Sequence, residues 1–215
     1  PRSVSMSFWI FFGQHRGEIF AATLEHLQLV VIAMAMAILI GVPLGLLLVH
    51  RKFLRTIALG IASILQTIPS LALFGFLIPI PFIGGIGKRT AIVALALYAL
   101  LPILRNTYVG LTSIDPAVLE SAEAMGMTST QILLRVRFPL ALAFILAGIR
   151  TATIITIGVA TIAAAIGAGG LGTFIFRGVA LVSDELLLAG AIPAALLAIL
   201  ADLLLGLLER RLRVT

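Results

Sequence analysis

Residues 115–139, DPAVLESAEAMGMTSTQILLRVRFP, form the longest strongly polar interval in a very apolar chain. It lies between two hydrophobic segments and carries charges of both signs, at Asp115, Glu120, Glu123, Arg135 and Arg137. A unit this polar is too costly to place in hydrocarbon. The pattern therefore predicts a membrane protein that presents a compact polar unit on one face.

The first half of this stretch has the signals of a short helix. Asp115 can cap the helix N-terminus, and Pro116 then occupies the first helical position, where its missing N–H has no effect. Gly126 is a natural helix stop because glycine accepts positive φ. These residues predict a helix that ends in a glycine bend.

The second half of the stretch predicts another short helix. Thr128 with Gln131 three residues later matches a capping box. Pro139 disfavours helical geometry at Phe138, so this helix is expected to end there. The whole interval is therefore predicted to be a helix, a glycine bend and a second short helix.

The composition of the chain indicates an integral membrane protein. Of 215 residues, 61% are hydrophobic and 11% are charged, with a mean hydropathy of +1.21. A soluble domain has about 45–50% apolar and about 25% charged residues. The apolar runs are longer than the ~10 alternating residues of a transmembrane strand, so they favour transmembrane helices. The absence of cysteine excludes a disulfide framework and a thiolate metal site.

The polar interval and two further segments resemble a known transporter family. Glu120-Ser121-Ala122 is followed after three residues by Gly126 and after nine more by Val136-Arg137-Phe138-Pro139. This spacing resembles the EAA motif of ABC importer permeases, E-A-A, three residues, G, nine residues, I-x-L-P. Residues 65–70 (LQTIPS) and 167–172 (GAGGLG) extend the resemblance over nearly the whole chain. Together they are similar to the small permeases of glycine betaine, choline and carnitine importers.

The resemblance implies both a fold and a role for the motif. The fold is the all-α type I ABC importer permease fold, with about five transmembrane helices and a cytoplasmic coupling helix. In the family, the EAA loop docks into a groove on the cytoplasmic ATPase. The residues that would make this contact are Glu120, Ser121, Ala122, Glu123, Gly126 and Pro139. For Glu123 alone, an ordinary solvated helix face is the competing interpretation.

The apolar segments predict a single transmembrane domain over residues 1–215. The expected spans are 24–49, 56–80, 90–111, 140–165 and 186–208, with the coupling loop at 115–139. Small residues recur every fourth position in the first span (Ala33, Ala37, Gly41, Gly45) and in the fourth (Gly148 to Ala168), which favours close helix packing. The glycine-rich segment 167–185 contains one apolar run, which is too short to cross the membrane. This segment is expected to be re-entrant or interfacial.

The distribution of positive charge predicts the orientation. With five spans the termini lie on opposite sides, and the side of the EAA loop carries Arg51, Lys52, Arg55, Arg135, Arg137, Arg210, Arg211 and Arg213, flanked by Arg105 and Arg150. The other side carries Arg2, Arg16, Lys88, Arg89 and Arg177. Cytoplasmic loops are enriched in Lys and Arg. The EAA side and the C-terminus are thus predicted to be cytoplasmic and the N-terminus external, with the Lys88-Arg89 pair as a local contradiction. The family resemblance implies that the membrane is a bacterial inner membrane.

Polar residues within the spans are candidates for the translocation pathway, because such residues tend to face a cavity. The candidates are Gln66, Thr67, Pro69, Ser70, Asn106, Thr153, Thr156 and Thr161, with Gln66 preferred. For any single Ser or Thr, the alternative is an ordinary helix–helix hydrogen bond. Asp202 and Arg105 are interpreted as reaching the inner membrane boundary, and Glu25 with His26 as an interfacial or proton-linked pair.

The energy source is expected to be a partner. The chain contains no P-loop, so it cannot itself be the ATPase. The family resemblance implies that two cytoplasmic ATPase subunits bind ATP and Mg²⁺ and that this chain needs no cofactor of its own. The family resemblance adds an external binding protein and a second permease, either another copy or a paralogue. The positive charge lies at segment ends and fits anionic lipid better than nucleic acid.

The predicted function is a transport subunit, not an enzyme, that moves a small compatible solute inward. Within this class the runner-up is a permease for another small solute such as methionine. An intramembrane enzyme would need clustered ionisable groups, which the positions of His15, His26 and His50 do not supply. A secondary carrier or a channel is disfavoured by five spans and a single coupling loop.

Overall fold

The computed structural model describes residues 4–49 and 51–212, with side chains from Trp9 onward. Within these residues the chain forms helices and turns and contains no β-strand. The helices are α1 Val4–Gln14, α2 Arg16–Leu48, α3 Lys52–Thr67, α4 Ser70–Leu77, α5 Lys88–Thr112, α6 Pro116–Ala124, α7 Ser129–Ile132, α8 Phe138–Ile162, α9 Gly172–Leu181 and α10 Asp184–Leu212. Arg2, His50 and Arg213, which entered the sequence predictions, lie outside the described residues.

Among the described residues, four uninterrupted helical segments are long and apolar enough to cross a membrane: α2, α5, the continuous segment Ser129–Ile166, and α10. A fifth span is formed if the bent pair of α3 and α4 is counted as one. The prediction of an all-α membrane protein with about five spans is confirmed. The short apolar helix α9 lies in the glycine-rich segment and is too short to be a span.

The second predicted span, 56–80, is not one helix. α3 ends at Thr67, α4 begins at Ser70, and their axes differ by 107°. Pro69 lacks an N–H and disfavours the helical region for the residue before it. Ile68 is accordingly extended, with φ −70° and ψ 127°. Tyr98 of α5 donates a hydroxyl hydrogen bond to the freed Ile68 carbonyl, which stabilises the break.

The helix break predicted at Pro139 is wrong. Phe138 keeps helical angles, φ −65° and ψ −47°, and α7 continues into α8 through a π-helical turn at Leu133–Arg137. Proline normally clashes with the carbonyl four residues earlier and offers it no N–H. The π turn is wider, and the Phe138 N–H donates to the Leu133 carbonyl five residues back. The register shift therefore lets the helix pass Pro139 without a break.

α5 lies at the centre of the bundle and packs against α2, α3 and α8. The small-residue stripe of α2 is buried against it, as the four-residue spacing predicted. A Cβ at Gly41 would lie 2.9 Å from Ile103 Cγ2, and one at Gly45 would lie 2.8 Å from Thr107 Cβ. On the α8 side, Gly148 approaches α5 equally closely. The glycines thus allow neighbouring helix backbones to approach each other closely.

Candidate coupling surface and translocation groove

The polar interval begins with the predicted capped helix. In α6 the Asp115 Oδ1 accepts a hydrogen bond from the Ala117 N–H at 2.9 Å, and Pro116 occupies the first turn. The cap satisfies a backbone donor that has no partner inside the helix. A helix of only nine residues has marginal stability in isolation. The cap therefore helps to stabilise α6 and fixes the residue at which it begins.

The end of α6 is a Schellman motif centred on Gly126. Gly126 has φ +77°, and its N–H donates to the Glu123 carbonyl at 2.9 Å. The Met127 N–H donates to the Ala122 carbonyl at 3.2 Å. Both bonds satisfy carbonyls at the helix terminus and require a left-handed residue between them. The predicted glycine bend is therefore confirmed as a local structure.

The capping box predicted at Thr128 and Gln131 is also present. The Thr128 N–H donates to Gln131 Oε1 at 2.8 Å, and the Gln131 N–H donates to Thr128 Oγ1 at 3.4 Å. The helix that the box starts is not an isolated short one, because α7 is the first turn of the segment Ser129–Ile166. The glycine bend thus connects α6 directly to a membrane-spanning helix.

Most residues of the motif are turned outward. Glu120, Ser121, Glu123, Gly126 and Pro139 are exposed, whereas Ala122 is buried. The Ser121 hydroxyl donates to a carbonyl within α6, four residues back, at 2.7 Å. We call this exposed face of α6 and its bend, residues 116–126, the coupling surface.

Arg137 connects the two spans on either side of the coupling surface. Its Nη1 donates to the carbonyl of Leu111 near the C-terminus of α5 at 3.0 Å. A cation is favourable at that end of a helix because the last carbonyls lack partners. Sequence reasoning treated Arg137 only as a motif position and an inner-side charge. The contact connects the ends of α5 and α8 independently of the loop itself.

The preferred pathway candidates lie together on one groove. Gln66, Thr67, Pro69 and Ser70 at the α3–α4 break, with Ile68, border a space of about 370 Å³. Its other walls are Tyr98, Ile155 and Val159. We call this space the break groove. The Gln66 amide donates to the Tyr98 carbonyl at 3.1 Å, which fixes one edge of the groove to α5.

The remaining candidates lie away from the break groove and have partners inside the bundle. The Asn106 amide donates to the Pro102 carbonyl at 2.8 Å, and the Thr153 hydroxyl donates to Ile149 at 2.8 Å. Thr156 is fully buried and donates to Ala152 at 2.7 Å. The Thr161 hydroxyl donates to Gly158 at 2.8 Å. Each of these bonds is to a carbonyl three or four residues earlier in the same helix, so they differ from the helix–helix bonds of the alternative. Thr156 also lies 3.6 Å from Met34 Sδ of α2, which is a contact between helices.

An ion-pair cluster joins α8 to α10. Arg150 donates from Nε to Asp202 Oδ1 at 2.6 Å and from Nη2 to Oδ2 at 2.9 Å, and its Nη1 lies 3.3 Å from Glu209 Oε2. Asp202 is therefore paired with an arginine of another helix, a contact that the sequence analysis did not anticipate. The sequence signal was an arginine on one apolar helix and two carboxylates seven residues apart, on one face, of another.

The opposite end of the bundle is organised by Glu25. Its Oε1 accepts from Lys88 Nζ and its Oε2 from the Gly170 N–H, both at 3.1 Å. His26 does not pair with Glu25; it is fully buried, and its Nε2 lies 3.1 Å from the Ile157 carbonyl. The glycine-rich segment 167–172 therefore packs against two adjacent residues of α2.

Comparison with known proteins identifies the family. Residues 18–214 match the family model described as the binding-protein-dependent transport system inner membrane component. The chain belongs to this family. It is therefore an inner-membrane permease subunit of an ABC importer and not an enzyme.

Curated relatives cover almost the whole permease. It is 49% identical to the osmoprotectant import permease protein OsmW of Salmonella typhimurium, over 90% of this chain and 91% of the relative. It is 45% and 44% identical to the permease proteins OpuCB and OpuCD of the glycine betaine/carnitine/choline transport system of Bacillus subtilis. These alignments cover 91% and 94% of this chain and 88% and 87% of the relatives.

Solved structures share the fold of the permease. A chain of the inward-facing MetNI methionine ABC transporter superposes with a TM-score of 0.81 at 26% identity. The match covers 90% of this chain and 95% of that chain. The arrangement of α2 to α10 is thus the fold of an ABC importer permease, as the resemblance implied.

Proposed function

We propose that this permease carries a small quaternary-amine solute of the glycine betaine, carnitine and choline class into the bacterial cytoplasm. Support comes from relatives at 44–49% identity whose names specify such solutes or osmoprotectants. The methionine transporter structure is more distant, at 26% identity. Methionine remains the second candidate because the fold is shared over nearly the whole chain.

We infer that the coupling surface docks on a cytoplasmic ATPase and transmits its closure to the membrane. The observation that carries this is the contact between Arg137 and the Leu111 carbonyl, which connects both adjoining spans at the base of α6. A short capped helix between two linked spans moves them together when it is displaced. Glu120 and Glu123 supply the exposed charge, and Gly126 sets the direction of the chain.

The proposed assembly contains two ATPases, an external binding protein and a second permease in the lipid bilayer, with ATP and Mg²⁺ bound by the ATPases. The second permease is either a copy of this chain or a paralogue. A paralogue has specific support, because this chain is similar to two permease proteins of one named transport system in Bacillus subtilis. We propose that residues 1–215 form one transmembrane domain within this assembly, consistent with a family match over residues 18–214.

We propose that the coupling surface is cytoplasmic and the N-terminus external. Support comes from positive charge at the helix ends on the side of α6, carried by Arg51, Lys52, Arg135, Arg210 and Arg211. The contradictory Lys88 is paired with Glu25, so its charge does not count fully against this orientation. Labelling from outside the cell of cysteines placed at Gln14 and Glu123, both of which are exposed, would distinguish the two orientations.

We propose that the break groove lies on the translocation pathway, with Gln66 and Thr67 exposed to the solute. A helix break is tolerated at membrane depth where it is covered by protein or lines a water-filled cavity. The polar residues here are concentrated at such a break. The Tyr98 hydroxyl donates to the Ile68 carbonyl and the Gln66 amide donates to the Tyr98 carbonyl, so both bonds attach the break to α5.

The test is solute uptake into proteoliposomes containing this permease, its ATPases and its binding protein. ATP-driven uptake of radiolabelled glycine betaine that requires the binding protein is the expected result. Gln66→Ala should alter the uptake rate more than the yield of assembled complex. Uptake of methionine without glycine betaine would replace the proposed solute, and uptake driven by an ion gradient without ATP would contradict the coupling mechanism.

A further inference from the structure

A second groove lies one helical turn from the break groove. It is bordered by Arg55, Thr56, Leu59, Gly60 and Ser63 of α3 and by Leu101 and Arg105 of α5, and its volume is about 360 Å³. We call it the arginine groove. None of these residues was among the pathway candidates of the sequence analysis.

The two grooves lie along the same faces of the same two helices. On α3, Ser63 precedes Gln66 by three residues and Thr67 by four. On α5, Leu101 follows Tyr98 by three. Residues three or four apart share a helix face and are about 5 Å apart along the axis. The break groove and the arginine groove therefore form one continuous strip toward the α6 end.

The arginine groove has an uncompensated positive charge. Arg55 is half-buried, donates from Nη1 to the Tyr108 hydroxyl at 2.5 Å, and lies 5.3 Å from the centre of that ring. Arg105 is exposed and has no hydrogen-bond or ion-pair partner among the described residues. No Asp or Glu is among the residues that border either groove.

The residues of the arginine groove favour a ligand that carries a carboxylate. Arginine binds a carboxylate through charge-assisted, often bidentate, hydrogen bonds. Arg55 is held in place by Tyr108, whereas the free guanidinium of Arg105 can approach a ligand. Serine and threonine hydroxyls at Ser63 and Thr56 add neutral donors and acceptors. A solute without a carboxylate and with a positive charge gains nothing here and is repelled.

We propose that Arg105, supported by Arg55, contacts the carboxylate of a zwitterionic solute on the inner part of its path. This deepens the proposed function and rests on it: among quaternary amines, it favours carboxylates such as glycine betaine over the cation choline. Arg105 lies seven residues before the end of α5, about 10 Å along the axis. It thus receives the solute after the break groove and before the cytoplasm.

The experiment compares Arg105→Gln with Arg177→Gln in proteoliposomes of zwitterionic lipid at saturating glycine betaine. Arg177 is also exposed without a partner among the described residues, but it lies on α9, away from both grooves. Arg105→Gln should slow glycine betaine uptake about tenfold, corresponding to about 1.4 kcal/mol, with Arg105→Lys intermediate. Co-purification of the ATPases with the permease should be unchanged, a readout that a merely structural role would not spare.

A second variant tests the proposal independently, in case Arg105→Gln does not fold. Ser63→Glu places a carboxylate opposite the guanidinium groups, and it should reduce glycine betaine uptake by competing for Arg105. Uptake equal to that of Arg177→Gln in both groove variants would overturn the proposal. So would an equal loss of choline uptake in Arg105→Gln, or a loss that appears only when anionic lipid is present, which would assign the groove to a lipid phosphate. Absence of any glycine betaine uptake by the wild-type complex would instead refute the proposed function.

Discussion

Two of the glycine-containing segments of the permease differ in what their glycines are needed for. Gly126 at the coupling surface and Gly170 at the other end both have left-handed backbones, with φ +77° and +78°. A Cβ at Gly126 would meet nothing within 4 Å, whereas one at Gly170 would lie 3.2 Å from His26 Nδ1. The first glycine only turns the chain, and its neighbours stay available to a partner. The second also allows the segment to pack tightly against α2.

This contrast shows that a glycine in a short motif can be required for its backbone conformation alone or for close packing as well. The motif itself does not show which of the two applies. At the coupling surface, the side chains around the bend face outward. The backbone groups at the helix ends are hydrogen-bonded by capping residues within the same stretch. At the glycine-rich segment, the backbone itself is the contact, since the Gly170 N–H donates to Glu25. Substitutions should therefore affect coupling at one end and stability at the other.

The largest effect is expected from Gly126→Pro. Proline requires φ near −65° and has no N–H, so it can adopt neither the φ of +77° nor the bond to Glu123. The direction of α6 should change, and ATP turnover stimulated by the solute-loaded binding protein should be lost. The thermal unfolding midpoint of the permease should change little, because no membrane-buried contact is removed.

The matched control for this change is Gly126→Asn, since asparagine tolerates the left-handed region. This variant should retain most of the stimulated turnover. Normal turnover in Gly126→Pro would show that the direction of α6 is unimportant for coupling.

A large stability effect is expected from Gly172→Ala in the glycine-rich segment. A Cβ there would lie 2.7 Å from the backbone carbon of Thr161, which is not a flexible neighbour. Overpacking of this kind costs about 1–3 kcal/mol and occasionally more. The thermal unfolding midpoint in detergent should fall clearly below that of the wild type.

Gly158→Ala is the control for this measurement, because Gly158 is exposed in α8 and a Cβ there would meet nothing. It should be neutral or slightly stabilising, since alanine favours helix more than glycine does. If Gly172→Ala and Gly158→Ala unfold at the same temperature, the segment does not pack as described.

The smallest effect is expected from Lys88→Gln. Its ion pair with Glu25 joins side chains that are 47% and 44% exposed, so it is worth about 0–1 kcal/mol. The unfolding midpoint should fall slightly at low salt and converge with the wild type as salt is raised. Arg89→Gln, which removes a neighbouring exposed charge without a partner in the described chain, should show no such salt dependence.

Local signals in the sequence were sufficient for the first half of the polar interval and for the start of the helix that follows the glycine bend. The Asp115 cap, the left-handed Gly126 and the Thr128–Gln131 box each depend on residues within a few positions of one another. The small-residue stripe of α2 was also predictable, because a four-residue period fixes one helix face. The proposed coupling and pathway roles of these residues stay predictions until transport and turnover are measured.

The prediction at Pro139 was wrong, because the outcome at a proline depends on the neighbouring structure. Pro69 and Pro139 both follow polar segments, yet only the first breaks its helix. At Pro69 the freed carbonyl of Ile68 has a partner in Tyr98, whereas at Pro139 a π turn keeps the backbone bonded. No pattern within either segment contains this information.

Hydropathy and capping act over short distances, so the membrane class, the approximate number of spans and the capped polar helix between two of them could be read from the sequence. Which distant groups meet is visible only in the packed helices. It paired Arg150 with Asp202 and Glu209, connected Arg137 to Leu111, and aligned the arginine groove with the break groove. These contacts depend on how whole helices rotate and pack against each other, a geometry set by the summed packing of all their small residues.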